Sequence, residues 1–393
     1  MDNWKEYKLG DFIEFNPSVS LKKGTIVKKV SMDQLIPHTR DIYNWSLEPY
    51  EGGSKFQNGD TIMARITPCL ENGKQAFVSF LNQDEVAFGS TEFIVMRGRV
   101  GISDNRFVYY LSRFSGFRAT AIKSMVGSSG RQRAQVDELE DITMMLPSLN
   151  EQIIIANFLS SIDDKIALNR RVCEILEAQA QALFKHLFID FTPFKNGKFV
   201  ESELGMIPEG WRIGSLGDVA DVVMGQSPSG SSYNENGEGI IFYQGRTEFG
   251  FRYPGIRLYT TEPKKFAEPL STLLSVRAPV GDVNVATERC CIGRGLASIK
   301  SNCSRNSYIY YLLLSLKRRL DVYNGEGTVF GSINKDNLNG MSIIIPPTSL
   351  INEFDEIAKA MDNKILEAHQ ENLSLSNLRD TLLPKLMTGQ IKL

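Results

Sequence analysis

The chain has 393 residues, 42% of them hydrophobic and 23% charged, with a formal net charge of −2, a composition ordinary for a soluble globular protein of two to four domains. No apolar run reaches the roughly 18 residues of a membrane span, and the opening MDNWKEYKLGDF lacks the apolar region of a signal peptide. The cysteines Cys69, Cys173, Cys290, Cys291 and Cys303 are scattered without a CxxC, which suggests neither a disulfide framework nor a metal site; the expectation is a cytoplasmic chain with no membrane partner.

The chain opens as Trp4-Lys-Glu-Tyr-Lys-Leu9-Gly10-Asp11 and restarts as Trp211-Arg-Ile-Gly-Ser-Leu216-Gly217-Asp218, both reading W-x4-L-G-D. Short apolar, β-branched runs at 61–65, 92–96 and 142–146 predict strands. Residues 105–123 predict a helix. In the second half, 305–320 predicts a helix and 342–345 a strand. Tyr109-Tyr110-Leu111 answers Tyr310-Tyr311-Leu312, Asp137-x-Leu139 answers Asp336-x-Leu338, and Asp163-Asp-Lys165-Ile166 answers Asp362-Asn-Lys364-Ile365. The offset drifts from 207 (Trp4 to Trp211) through 201 (Tyr109 to Tyr310) to 199 (Asp137 to Asp336), as loops of unequal length make it. Residues 17–60 and 224–270, in the middles of the two repeats, share almost nothing that aligns. A duplication that keeps its frame and changes its middle suggests two modules doing one kind of job on different targets.

Each repeat is followed by a long helical pattern. From Ile155 the seam runs Ile155, Leu159, Ile162, Ile166, Asn169, Cys173, Leu176, Ala180, Leu183, Leu187, in 4-3-4-3 spacing. A helix over 151–188 would be roughly 57 Å long and needs a partner. The same seam recurs 199 residues on: Phe354, Ala358, Met361, Ile365, Ala368, Asn372, Leu375, Arg379, Leu382, Leu386. The plainer reading is two separate amphipathic core helices, but length and matched phase favour a coiled coil. Asn169 and Asn372 would fix its register, and Pro384 should end the second helix. The layout is a first domain over 1–148, a central helix over 149–190, a hinge over 191–205, a second domain over 206–347 and a C-terminal helix over 348–393. The class is α+β: two similar α/β domains separated and joined by two long helices, an internal pseudo-two-fold repeat.

Charge is uneven. No acid lies between Asp104 and Asp137, a window holding Arg106, Arg113, Arg118, Lys123, Arg131 and Arg133. None lies between Glu288 and Asp321, a window holding Arg289, Arg294, Lys300, Arg305, Lys317, Arg318 and Arg319. A solvated helix face would explain either alone; two of equal length suggest phosphate contacts even in a near-neutral chain. The first window ends in Gly127-Ser128-Ser129-Gly130-Arg131-Gln132-Arg133, where small residues allow close approach and Arg, Gln and Ser can read base edges or phosphate. The candidate DNA contacts are Arg65, Lys74, Arg118, Lys123, Ser128, Ser129, Arg131, Gln132 and Arg133 in the first repeat. In the second they are Gln226, Ser227, Arg246, Arg277, Arg294, Thr328, Phe330, Asn334 and Lys335. Catalytic motifs are missing: no Walker A, no HExxH, no glycine-rich S-adenosylmethionine loop with N/D-P-P-Y/F, and only chance SxxK matches at Ser20 and Ser332.

Three stretches carry a family resemblance: Ala182-Leu183-Phe184-Lys185-His-Leu-Phe188-Ile-Asp190-Phe191-x-Pro193, Leu204-Gly205-x-Ile207-Pro208-Glu209-Gly210-Trp211, and Leu382-Leu383-Pro384-Lys385-Leu386-Met387-x-Gly389. With the duplicated layout, the whole chain resembles the specificity subunit of a type I restriction–modification enzyme. The resemblance implies a non-catalytic DNA-binding subunit with two target-recognition domains, each reading half of a bipartite, asymmetric site on double-stranded DNA. It implies helices packed antiparallel as a spacer, gripped by two modification (adenine methyltransferase) subunits and joined by restriction/translocase subunits. S-adenosylmethionine, ATP and Mg would belong to those partners, and this chain would hold no cofactor or metal. The first helix opens on the family's usual Glu151-Gln152, where the second repeat has Leu350-Ile351. The alternative is a stand-alone DNA-binding or scaffold protein with a coiled-coil core and no methyltransferase partner. The bases read and the gap between half-sites are not written in the sequence.

Overall fold

The structure, a computed structural model, describes residues 4–128, 130–325 and 331–393. It divides into two compact units, residues 1–171 with 368–393, and residues 172–367.

In the first unit, buried apolar runs make the central strands. Thr61–Ala64 is buried throughout, as are Phe93 to Met96 of the strand Phe93–Gly98. They lie in an antiparallel sheet ordered Ile13–Phe15, Phe93–Gly98, Thr61–Ala64, Gln75–Phe77. A second sheet is ordered Ser46–Pro49, Ile26–Val30, Val86–Gly89, Ser54–Gln57, with only the middle pair parallel. Lys5–Lys8 pairs with Thr143–Leu146, bringing the two ends of the domain together. The helix expected over 105–123 is two, Asn105–Arg113 and Ser115–Lys123, because Phe114 takes an extended ψ of 132° and packs its ring on the core. Asp104 caps the first of them, accepting from the Arg106 and Phe107 amides at 3.0 Å. Leu9, Phe12, Tyr109, Ile155 and Leu159 share one core with Leu383, Leu386 and Met387 from the far end of the chain.

The second unit repeats the plan. Ala220–Met224, Leu296–Ser301, Thr272–Ser275 and Val283–Val285 make the antiparallel sheet. Arg212–Ser215 pairs with Ser342–Ile345. The segments that resist alignment build the second sheets, and here that sheet has five strands, not four: Tyr233–Asn234, Leu258–Thr260, Ile240–Tyr243, Cys290–Ile292, Phe266–Ala267. The helix expected over 305–320 is again two, Asn306–Ser315 and Lys317–Asp321. Its capping differs. Arg305 supplies no cap; instead Asp355, from the second long helix, accepts from the Tyr308 amide at 3.0 Å. The expected hinge is also ordered: Phe199–Ser202 and Gly205–Pro208 form a hairpin, and Phe191 and Phe194 pack on Trp211 at 5.2 and 5.4 Å. That aromatic burial explains why a Pro/Gly-containing stretch takes up a fixed path.

The long helices are Leu149–Phe188 and Thr348–Met387. Within the first unit Asp163 meets Arg379, while the Asn372 amide donates to the Ile166 carbonyl at 3.3 Å. Within the second, the Cys173 thiol approaches the Ile365 carbonyl at 3.8 Å. Numbers rise on one helix as they fall on the other, so the pairing is antiparallel. Asn169 donates to Glu371 at 2.7 Å and to Asn372 at 2.9 Å; the two seam asparagines, at unlike repeat positions, find each other across the seam.

Ile155, Leu159, Ile162, Asn169 and Cys173 are buried, with Ile166 half-buried. Beyond Cys173 Ala180 stays buried on the expected line, but elsewhere the burial moves one residue on, to Glu177, Phe184 and Phe188, leaving Leu176, Leu183 and Leu187 half-buried. A straight helix drifts about 20° per heptad against a strict 3.5 repeat, which accounts for the step. On the second helix Ile365 is buried, and Met361, Leu375 and Leu382 are half-buried. Pro384 does not end this helix, which runs on to Met387. A helical proline costs about 3 kcal/mol; burying Leu386 and Met387, 1% and 3% exposed, returns about 1.5–3 kcal/mol each, enough to hold the last turn. Among the described residues, no helix is long and apolar enough to cross a membrane.

Candidate nucleic-acid interface

At one end of the antiparallel sheet in each unit, several loops are tied by the same three backbone bonds. In the first unit the Arg65 amide donates to Glu92 O at 2.9 Å, Ala134 N to Arg65 O at 2.8 Å and Thr67 N to Gln132 O at 3.1 Å. In the second, Val276 N donates to Gly295 O at 2.9 Å, Ile333 N to Val276 O at 3.0 Å and Ala278 N to Gly331 O at 3.0 Å. A β-bridge joins Ile66 to Arg133 in one and Arg277 to Ser332 in the other, and each frame is followed by a cis proline, Pro68 and Pro279. The correspondence is residue by residue: Arg65 with Val276, Ile66 with Arg277, Glu92 with Gly295, Arg133 with Ser332. Equal scaffolds carry different side chains.

The sequence candidates sort against this frame. Arg131 and Lys123 are exposed, without a side-chain partner among the described residues; Ser128 is exposed and Gln132 half-buried. Arg133 is exposed but held by Glu92: its Nε donates to both carboxylate oxygens at 3.0 and 2.9 Å and its Nη2 to Oε1 at 2.6 Å. That hydrogen bond, with the charges of Arg133 and Arg65, holds the Glu92 carboxyl below its usual range against the effect of burial. Arg65 is half-buried, donating from Nη2 to Ala134 O at 3.0 Å. Lys74 is half-buried, with its Nζ donating to Met32 O at 2.8 Å. Arg118 lines a cleft with His38, Arg113 and Asp380 and is half-buried. Ser129 is outside the described residues.

In the second unit, Arg277 and Arg294 are exposed at the frame. The Arg294 amide donates to Ser227 Oγ at 3.2 Å, and the Gln226 amide to Ile292 O at 3.0 Å, which places Gln226 and Ser227 beside it. Arg246 pairs with Asp282, which also takes Lys317 at 2.9 Å. Asn334 caps the helix Lys335–Asn339, accepting from Asn337 N at 2.8 Å, and Lys335 is exposed. Thr328 and Phe330 lie outside the described residues.

The two basic windows do not match as the sequence suggested. The first covers the helices 105–123 and the loop after them; the second begins two strands earlier, taking in Cys290–Ile292 and Leu296–Ser301 before its helices. Several of their cations are used internally. Arg113 is spent on His38 O, the Tyr109 hydroxyl and Asp380, Arg289 on Glu268 at 3.2 Å, and Arg319 on Ser342 O at 2.5 Å. Counting charges along the sequence therefore overstates the free cationic surface.

Sequence reading missed the arginines that strap each domain to its stretch of helix. Arg252, 3% exposed, reaches Glu177, the Tyr311 hydroxyl at 3.1 Å and Asp362 at 2.6 Å, over the Tyr310 ring at 3.6 Å. Burial alone would lower its pKa, but Tyr310, Asp362 and Glu177 raise it well above the usual value. Arg40 does the same in the first unit, on Asp41 at 3.0 Å, Asp164 at 2.7 Å and the Ser160 carbonyl at 3.3 Å. Both come from irregular loops, where no period marks them. Gln152 is also internal: it accepts from the Asp104 amide at 2.9 Å and donates to Ile102 O and Pro147 O at 3.0 Å each. At the matching place the second unit buries Ile351.

Two copies of one mixed domain, each ending in a frame of polar loops and each strapped to a stretch of two long helices, define a duplicated recognition protein. The model of the type I restriction modification DNA specificity domain matches residues 1–178 and again 208–375. The putative type I restriction enzyme MjaX specificity subunit of Methanocaldococcus jannaschii is 33% identical over 340 residues, 85% of this chain and 79% of that protein. The type I restriction enzyme HindI specificity subunit of Haemophilus influenzae is 23% identical over 473 residues, aligned across 100% of both. The solved S subunit of a type I restriction–modification system from M. genitalium shares the fold, with a TM-score of 0.60 at 16% identity over 98% of this chain and 96% of that one. The chain belongs to the type I restriction–modification DNA specificity family, and its two domains are target-recognition domains.

Proposed function

We propose that this subunit reads a bipartite, asymmetric site on double-stranded DNA, one half-site per domain. The observation that supports it is the paired loop frame: the same three backbone bonds and one bridge place Glu92 and Arg133 in one unit and Gly295 and Ser332 in the other. A common scaffold with different side chains is what two readers of different sequences need, since phosphate contacts position and base contacts specify. Arg65, Arg131, Gln132 and Arg133 serve one half-site; Gln226, Ser227, Arg277, Arg294 and Lys335 serve the other.

In this reading the chain carries no chemistry. Two modification subunits dock on the long helices and supply S-adenosylmethionine-dependent adenine methylation, and restriction subunits bring ATP- and Mg-dependent translocation. The assembly works in the cytoplasm, where its DNA is. The helices set the gap between half-sites.

The test is methylome sequencing of DNA modified by this chain with its modification subunit. A motif of two different half-sites with a fixed gap supports the reading. Methylation at a continuous site defeats the two-reader arrangement, and DNA binding without any co-purifying modification subunit defeats the docking role.

A further inference from the structure

Arg133 is the most constrained exposed cation in the loop frame of the first unit. Its backbone is pinned on both sides. The Val126 amide donates to Arg133 O at 3.1 Å and the Arg133 amide to Val126 O at 3.0 Å, while Ile66 bridges it from the other side. The bonds of Gln132 O to Thr67 and of Ala134 N to Arg65 fix the residues before and after it. Its side chain is fixed too. Glu92 takes Nε and one face of Nη2, with Glu92 22% and Arg133 46% exposed. What remains is the far edge of the guanidinium: Nη1, without a partner among the described residues, and the outer hydrogen of Nη2.

That edge has a defined use. A guanidinium can engage a planar acceptor pair along two edges. With one edge on a carboxylate, the other presents two parallel N–H donors, the pattern that matches O6 and N7 of a guanine in the major groove. An arginine held by backbone and carboxylate loses little side-chain freedom on binding, and the carboxylate repels a phosphate that would otherwise take the cation. The second unit has no counterpart: Gly295 stands at the place of Glu92 and Ser332 at that of Arg133.

We propose that Glu92 is a specificity-determining positioning residue, holding Arg133 so that its free edge reads one guanine in the half-site of the first unit only. This rests on the half-site reading above.

The test uses the full chain and a library of duplexes randomised across both half-sites. The variants are Arg133→Ala, Arg133→Lys and Glu92→Gln. Arg133→Ala and Arg133→Lys should each lose about ten- to a hundredfold of the guanine preference at one base pair, the range for a bidentate contact. Glu92→Gln should lose preference at that same base pair, while its affinity for unrelated DNA rises and its salt dependence steepens, because a cation has been released to phosphate. Preferences in the other half-site should stay as they were, which also shows the variants are folded. Full guanine preference in Glu92→Gln overturns the proposal, as does Arg133→Ala weakening all sequences equally. Loss of both half-sites in all three variants overturns it too, since it makes the pair structural. If the wild-type chain itself selects no two-part site, it is the half-site reading that fails; if it does and Glu92→Gln is unchanged, only the role of Glu92 fails.

Discussion

Arg379→Met tests what holds the two long helices together within the first unit. Arg379 is 4% exposed and Asp163 3%. Arg379 Nη1 contacts Asp163 Oδ1, and the Tyr110 hydroxyl donates to Oδ2 at 2.7 Å. Although burial alone would lower it, bonds to Asp380 and Asp163 raise the pKa of Arg379 well above the ordinary value. Methionine fills a similar volume but leaves the Asp163 carboxylate buried with one partner fewer. Breaking a buried pair in this way costs about 3–5 kcal/mol. Asp163→Asn in the same chain removes the stranded charge and keeps an acceptor for Tyr110, so the double variant should recover most of the loss. The assay is hydrogen exchange of peptides covering residues 155–171 in wild type, both single variants and the double, which gives a coupling energy from a double-mutant cycle. A loss below about 1 kcal/mol in Arg379→Met would place the pair with surface ion pairs of little worth, as would a double variant no better than the single.

Three further outcomes are expected. Gln152→Leu strands the Asp104 amide and two carbonyls, and should destabilise the first unit by about 2–4 kcal/mol, from roughly 1–3 for each buried group left unpaired and partial access to water; urea unfolding that matches wild type would remove its structural role. Asp355 is a pH marker for the second unit. Burial raises its carboxyl above the usual value against the bond from Tyr308, so the folded state binds its proton more tightly than the unfolded chain, and stability is lost as pH rises from about 4 through the folded pKa. Asp355→Asn, which does not titrate, should therefore gain on wild type between pH 3.5 and 7 in thermal unfolding, and the opposite slope would show the carboxylate to be favoured. Inserting matched heptads into both long helices should lengthen the gap in the methylated motif, at about 1.5 Å per added residue; an unchanged gap would show that the helices do not set it.

The duplication and the long helices were legible because both rest on periods and repeated words, which survive in a linear reading. The strap arginines were not. Arg40 and Arg252 sit in irregular loops, and their meaning lies in acids more than a hundred residues away, Asp164 for one and Asp362 for the other. Capping shows the same limit: Asp104 is a readable N-cap beside its helix, whereas Asp355 caps Tyr308 from another element. Lys74, a phosphate contact by residue type, has one of its donors taken by the Met32 carbonyl of its own chain, which residue type alone does not reveal. Glu92 was passed over because an acid does not suggest a DNA interface until its partner Arg133 is seen.

The first unit is discontinuous, its core containing Leu9 and Phe12 together with Leu383, Leu386 and Met387. A ribosome makes the first group and then all of the second unit before it reaches the rest. At about 5–20 residues per second, the interval is on the order of tens of seconds. During it the earliest-made domain has an open apolar flank, and the later-made one can finish first. Order of completion therefore runs against order of synthesis, and a nascent chain stalled after the second unit would still expose the flank that Leu383, Leu386 and Met387 cover.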